Sequence, residues 1–147
     1  MCDAMGFEPE CTQFTSLTVT DGKLANFAVN ATPIDDRLAA PGAATQSGGA
    51  TVTLLGAYES VQADSLIVVL DIANSTEPLN LNVYSAEYIT SDGRQVTVGD
   101  AVGPIQLRAG ASASVVLSFP SQTIGGTVYL TGSDQDYNPI EWVVPLA

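Results

Sequence analysis

Apolar and polar residues alternate with a period of two along most of the chain, and turn-forming residues interrupt the alternation at short intervals. A period of two sends successive side chains to opposite faces of an extended backbone, so the pattern predicts strands rather than helices. Residues 15–20 set Leu17 and Val19 on one face and end at an Asp21-Gly22 turn. Residues 24–31 are apolar without a clear phase. Residues 51–61 place Val52, Leu54 and Tyr58 together, with Gly56 as a candidate bulge. Residues 111–119 set Ala113, Val115, Leu117 and Phe119 against Ser112, Ser114, Val116 and Ser118.

Further strands follow from 78–90, where the phase slips near Ser85-Ala86, and from the Asp92-Gly93 turn into 94–98. Residues 104–110, 125–132 and 139–146 supply three more. About eight to ten short strands with regular turns predict an all-β antiparallel β-sandwich, immunoglobulin-like or jelly-roll-like. Residues 33–50 carry small residues and glycines and read as a long loop or crossover, with at most one helical turn at 35–40. The expected organisation is an irregular N-terminal arm with the first strands over 1–49, then a sandwich body over 50–147.

Residues 65–74 depart from simple alternation. Leu66, Val68, Leu70 and Ile72 form one apolar face, and Ile67, Val69 and Ala73 make the other. The last strand repeats this, with Trp142, Val144 and Leu146 opposite Val143 and Pro145. An outward apolar stripe needs a cover, so Ile67, Val69 and Val143 are candidate interface residues. The cover expected is the N-terminal arm, a second subunit, or a barrel-like closure.

The chain has 147 residues, 46% of them hydrophobic, which suffices for a domain with its own core. Sixteen acidic residues against four basic ones, with no histidine, give a net charge of −12. Nucleic acid and anionic membrane surfaces need clustered Lys and Arg, so neither is an expected partner. An acidic surface maintains solubility and resembles that of proteins from salt-loving organisms. The longest apolar run, Leu66–Leu70, is far shorter than the roughly 20 residues of a membrane span. Residues 1–11 show no basic region followed by an apolar stretch, so they do not read as a secretory signal.

Lack of histidine removes Ser-His-Asp and Cys-His nucleophile systems. Paired carboxylates remain, at Asp35-Asp36 and Asp134/Asp136, but both fall in predicted loops and read as solvated turns. No catalytic residue is therefore assigned, and the chain is not expected to be an enzyme. Asp134, Asp136 and Asn138 have the spacing that opens a calcium loop, with Glu141 nearby. Pro139 stands where that loop needs glycine, so the alternatives are an irregular Ca²⁺ site and an ordinary acidic hairpin. Ca²⁺ is the one cofactor the sequence suggests. Cys2 and Cys11 are the only cysteines, and their spacing matches no metal or redox motif. A disulfide or two free thiols are both open. Asn30-Ala31-Thr32 and Asn74-Ser75-Thr76 match the glycosylation acceptor pattern.

The succession of residues 66–81, 88–96 and 107–120 joins an apolar strand ending in Asn-Ser-Thr, a Pro-Leu strand start, an Asp-Gly hairpin and a Ser-rich strand ending in Phe. In this it resembles, over 51–131, an immunoglobulin-like domain of unknown function found in bacterial and archaeal surface lipoproteins. Small secreted mycobacterial antigens have a similar sandwich. The resemblance implies fold more than activity. Together these features predict a non-catalytic structural subunit of a virion or extracellular assembly, of capsid-decoration type. Its expected partners are other copies of the chain, a capsid protein or a surface-layer protein. The alternative is a secreted or lipid-anchored binding or adhesion domain of a prokaryotic cell surface.

Overall fold

The computed structural model describes residues 2–3, 10–11, 13–60, 63–74 and 76–146. The chain forms two compact units, Met1–Leu38 and Ala39–Ala147. Among the described residues every strand pairing with a given register is antiparallel, and no α-helix occurs.

In the first unit β1 (Cys2–Asp3) and β2 (Glu10–Cys11) pair with Cys2 opposite Cys11. A separate sheet has the order β3 (Phe14–Thr20), β4 (Lys23–Val29), β5 (Thr32–Pro33). Asp21 and Gly22, both at positive φ, join β3 to β4. That is the backbone a two-residue hairpin turn requires, and Asp-Gly is among the pairs that adopt it most readily. Register shifts between Thr15 and Val19, with Ser16 at positive φ, interrupt the β3–β4 ladder. The rings of Phe14 and Phe27 lie 6.0 Å apart. Ala28 is the only buried apolar residue described in this unit. A single 3₁₀ turn at Asp35–Arg37 precedes β6 (Leu38–Ala39), which spans the division between the units.

The second unit is a β-sandwich. Its strands are β7 (Ala44–Ser47), β8 (Ala50–Ser60), β9 (Ser65–Asn74), β10 (Leu79–Leu81), β11 (Glu87–Ile89), β12 (Gln95–Thr97), β13 (Asp100–Val102), β14 (Gln106–Leu107), β15 (Ser112–Pro120), β16 (Thr127–Ser133) and β17 (Pro139–Pro145). One sheet contains the order β13-β15-β9-β8, with β7 also paired to β8. The other has the order β12-β11-β16-β10-β14, with β17 on β16. β10 and β11 pair with opposite ends of β16, and the 3₁₀ turn Val83–Ser85 lies between them in sequence. That turn accounts for the slip in phase near Ser85.

Residues 39–49 belong to the sandwich rather than to the arm, so the unit begins eleven residues before the predicted body. The reason is local. Gly48 and Gly49 both take positive φ and close a two-residue hairpin, so β7 folds onto β8 with Ser47 opposite Ala50. The carbonyls of Ser47 and Ala50 then accept the Trp142 indole N–H at 3.2 and 3.3 Å. A buried tryptophan keeps its one polar atom satisfied in this way, while its rings fill the core.

The core lies between the sheets. Leu66, Val68, Leu70 and Ile72 of β9 face Val128 and Leu130 of β16 and Trp142 and Val144 of β17 within one buried cluster. Gly132 is required beside Trp142, because a Cβ there would meet the Asn80 carbonyl oxygen at 2.5 Å. At one end of the core the Tyr88 hydroxyl accepts from Gly126 N–H and donates to the Thr123 carbonyl. It thereby ties the loop before β16 to β11.

Candidate functional site

β9 is apolar on both faces because it is the central strand of its sheet, paired with β8 on one side and β15 on the other along its length. Its inward residues are fully buried, while Ile67 and Val69 point to the sheet's outer face and are half-buried. Register defines what stands beside them. Val69 is opposite Val116 of β15, and Val116 is opposite Val102 of β13. On the other flank Val69 meets Gly56, and Leu55 is the extra residue of a bulge between Leu54 and Gly56. Leu54 is buried and Leu55 is 48% exposed, so the bulge adds Leu55 to the outer face. In the next row Ile67 lies between Ser118 and Tyr58, and Asp100 follows Ser118.

The result is an apolar band across four strands: Leu55, Val69, Val116 and Val102, with Ile67 and Tyr58 beside it. Val102 is 65% exposed and Tyr58 44%. Asp71, between Thr53 and Ser114, bounds the band on one side, and Asp100 stands at a corner of the other. The sandwich thus presents an apolar strip with a carboxylate rim.

Val143 does not join this band. It lies on the outer face of the other sheet, opposite Tyr129. The three candidate interface residues therefore form two surfaces. Leu55, Val102 and Val116 are not among the interface residues expected from sequence, and Tyr58, expected on the face of Val52 and Leu54, is turned outward by the bulge. For Val116 the signal was present, as the one apolar residue in phase with Ser112, Ser114 and Ser118.

The loop carrying the candidate calcium ligands is held by its own hydrogen bonds. Asp134 Oδ1 accepts from the backbone N–H of Asp136 and of Asn138, each at 2.9 Å, and Asp134 Oδ2 accepts Asn138 Nδ2 at 2.7 Å. The Asn138 side chain, followed by these backbone donors, holds the Asp134 carboxyl below its ordinary range. Asn138 thus offers Asp134 its amide donor rather than a further oxygen. Asp136 is exposed, and Glu141 is exposed on β17 opposite Thr131. Among the described residues no group of three or more His, Cys, Asp or Glu is placed to hold a metal. The same chemistry recurs at Asp92, whose Oδ1 accepts the Thr90 hydroxyl, and whose carboxyl that bond holds low.

Of the carboxylate pair Asp35-Asp36, Asp35 accepts Asn26 Nδ2 at 2.5 Å, and the Asp36 side chain lies outside the described residues. Asn30 Oδ1 accepts the Gln13 N–H at 2.9 Å. The Asn74 side chain and Ser75 lie outside the described residues. Cys11 is disulfide-bonded, and the chain has one other cysteine, Cys2. No helix among the described residues is long and apolar enough to cross a membrane. No protein-family model matches the chain, and no curated protein matches it.

Proposed function

We propose that the protein is a non-catalytic structural subunit of a virion or extracellular assembly, and that it attaches through the outer face of the β13-β15-β9-β8 sheet. The observation that carries the reading is the apolar band Leu55–Val69–Val116–Val102. A solvated outer face would alternate polar residues at these positions, as Ser112, Ser114 and Ser118 do along β15. Carboxylates at Asp71 and Asp100 bound the band, so a surface offering apolar side chains within a Lys or Arg rim is its complement. A second copy would set acid against acid there.

The test is co-sedimentation of the full chain with purified particles or surface layers from its source, across a salt series. The unmodified chain pellets with the particle, and the Val69→Glu/Val102→Glu variant stays in the supernatant with an unchanged circular dichroism spectrum. Equal pelleting of the two would overturn the reading.

A second reading is a secreted or lipid-anchored immunoglobulin-like binding domain of a prokaryotic cell surface. The disulfide at Cys11 favours it, since such bonds persist in oxidising, extracytoplasmic settings. A gene that encodes a signal peptide and lipobox directly before Cys2 would decide for it.

A further inference from the structure

We propose that the free edge of β3 pairs antiparallel with β3 of a second copy of this chain, joining two three-stranded sheets into one of six. The proposal rests on reading the chain as an assembly subunit, and it assigns the self-contact to a surface separate from the sandwich face.

Four observations carry it. First, β3 has one neighbour, β4, so among the described residues its other edge is unpaired. An open edge is a template for a further strand. Second, all seven residues of β3 are exposed, with Phe14 at 51%, Leu17 at 63% and Val19 at 64%. Third, the unit Met1–Leu38 buries only Ala28 among its described apolar residues. Units below roughly 40 residues usually need disulfides, metals or oligomerisation to persist. This one has a disulfide at Cys11, and a partner strand supplies the second support.

The fourth observation selects the partner. Phe14–Thr20 contains no charged residue in a chain of net charge −12. Two copies of most surfaces of this protein would repel one another, but two copies of β3 would not. In the register centred on Leu17, Phe14 faces Thr20, Thr15 faces Val19, and the flanking Asp21 falls beside Gln13 rather than another acid. Such a contact is isologous and closes on itself. The irregular ladder around Ser16 keeps the regular edge short, which favours a weak, closed pair over open-ended stacking.

The experiment is sedimentation velocity on the full chain from about 1 µM to about 1 mM, combined with hydrogen exchange at both ends of that range. The expected result is a concentration-dependent dimer whose amides in 14–20 exchange more slowly at the higher concentration. Val19→Lys puts a lysine on the pairing edge, where such side chains oppose strand addition, and is expected to raise the dimer dissociation constant at least about tenfold. Val19 is exposed, so the change does not disturb a core. Val102→Lys alters the sandwich face and is expected to leave the dimer constant unchanged while weakening particle binding. A chain that stays monomeric up to the highest concentration overturns the proposal. So does a dimer insensitive to Val19→Lys, or one without protection in 14–20. Each of these outcomes leaves the particle-binding result, and the reading behind it, to stand or fall separately.

Discussion

The two compact units use strands of similar length to opposite ends. β3 and β16 have seven residues each, yet every residue of β3 is exposed, and Val128, Leu130 and Gly132 of β16 are buried. Alternation alone does not separate them, because Leu17 and Val19 also fall in phase. The difference lies in what stands opposite. β16 has strands on both sides and a second sheet across the core, whereas β3, among the described residues, has a single neighbour within a three-stranded sheet. Three strands fold stably only when a hydrophobic face is covered, and among the described side chains of that sheet only Ala28 is buried. A strand's stability is thus a property of its layer, and the described residues of the first unit supply no second layer of their own.

Substitution in the core should separate the units most sharply. Trp142→Ala removes the largest fully buried side chain and two accepted N–H contacts, and should cost the sandwich about 3–5 kcal/mol in urea denaturation. Phe14→Ala, at a half-exposed position, should cost well under about 1 kcal/mol. Equal costs would break the contrast.

Reduction of the disulfide at Cys11 comes next. It should destabilise the first unit by about 2–4 kcal/mol, read as loss of amide protection over residues 13–33. The denaturation midpoint of the sandwich should not move. A shift there would mean that the two units melt together.

Changes of pH should act mainly on the sandwich. Burial raises the Tyr88 hydroxyl above its ordinary 10.0, outweighing the Gly126 N–H. Its contribution is complete below pH 10 and is lost as pH rises through the native value, because the unfolded chain ionises first. Asp92 and Asp134 are held low, so their contribution is present above pH 3.8 and is lost as pH falls through their native values. Thermal melts should therefore show a plateau between these limits, and Tyr88→Phe should flatten the alkaline limb. An unchanged limb would assign the loss to other groups.

The smallest expected effect is at Ser65, which is buried with no hydrogen-bond partner for its hydroxyl among the described residues. Ser65→Ala should be neutral or stabilising by up to about 1 kcal/mol, measured by urea denaturation. A clear loss would mean that the hydroxyl has a partner in solution.

Much of the sandwich was legible in the sequence because its signals are local. The Asp92-Gly93 turn, the interruption at Gly56 and the inward series Leu66, Val68, Leu70 and Ile72 all stand in the structure where the pattern put them. Gly48-Gly49 is also a pair that two-residue hairpins favour, and the small, weakly periodic residues before it mask β7. Other features could not be read locally. Periodicity gives the face of a strand but not its sheet, so Val143 was grouped with Ile67 and Val69, although its sheet is the other one. Spacing gave Asp134, Asp136 and Asn138 as oxygen ligands. The same spacing also builds a turn in which Asn138 donates to Asp134, and only the side-chain orientation distinguishes the two.

The bulge in β8 makes one residue of that strand separable from the fold. Before it, the even-numbered positions Val52 and Leu54 point inward; after it, the odd-numbered Ala57 does, and the extra residue absorbs the change. Deleting a residue from within either half of β8, away from Leu55-Gly56, would turn part of the strand inside out. Deleting Leu55 alone would leave Leu54 opposite Leu70 and Gly56 opposite Val69, an unbroken ladder with every other side chain on its present side. The chain is one residue longer there than its core demands, and what that length supplies is one leucine on the exterior.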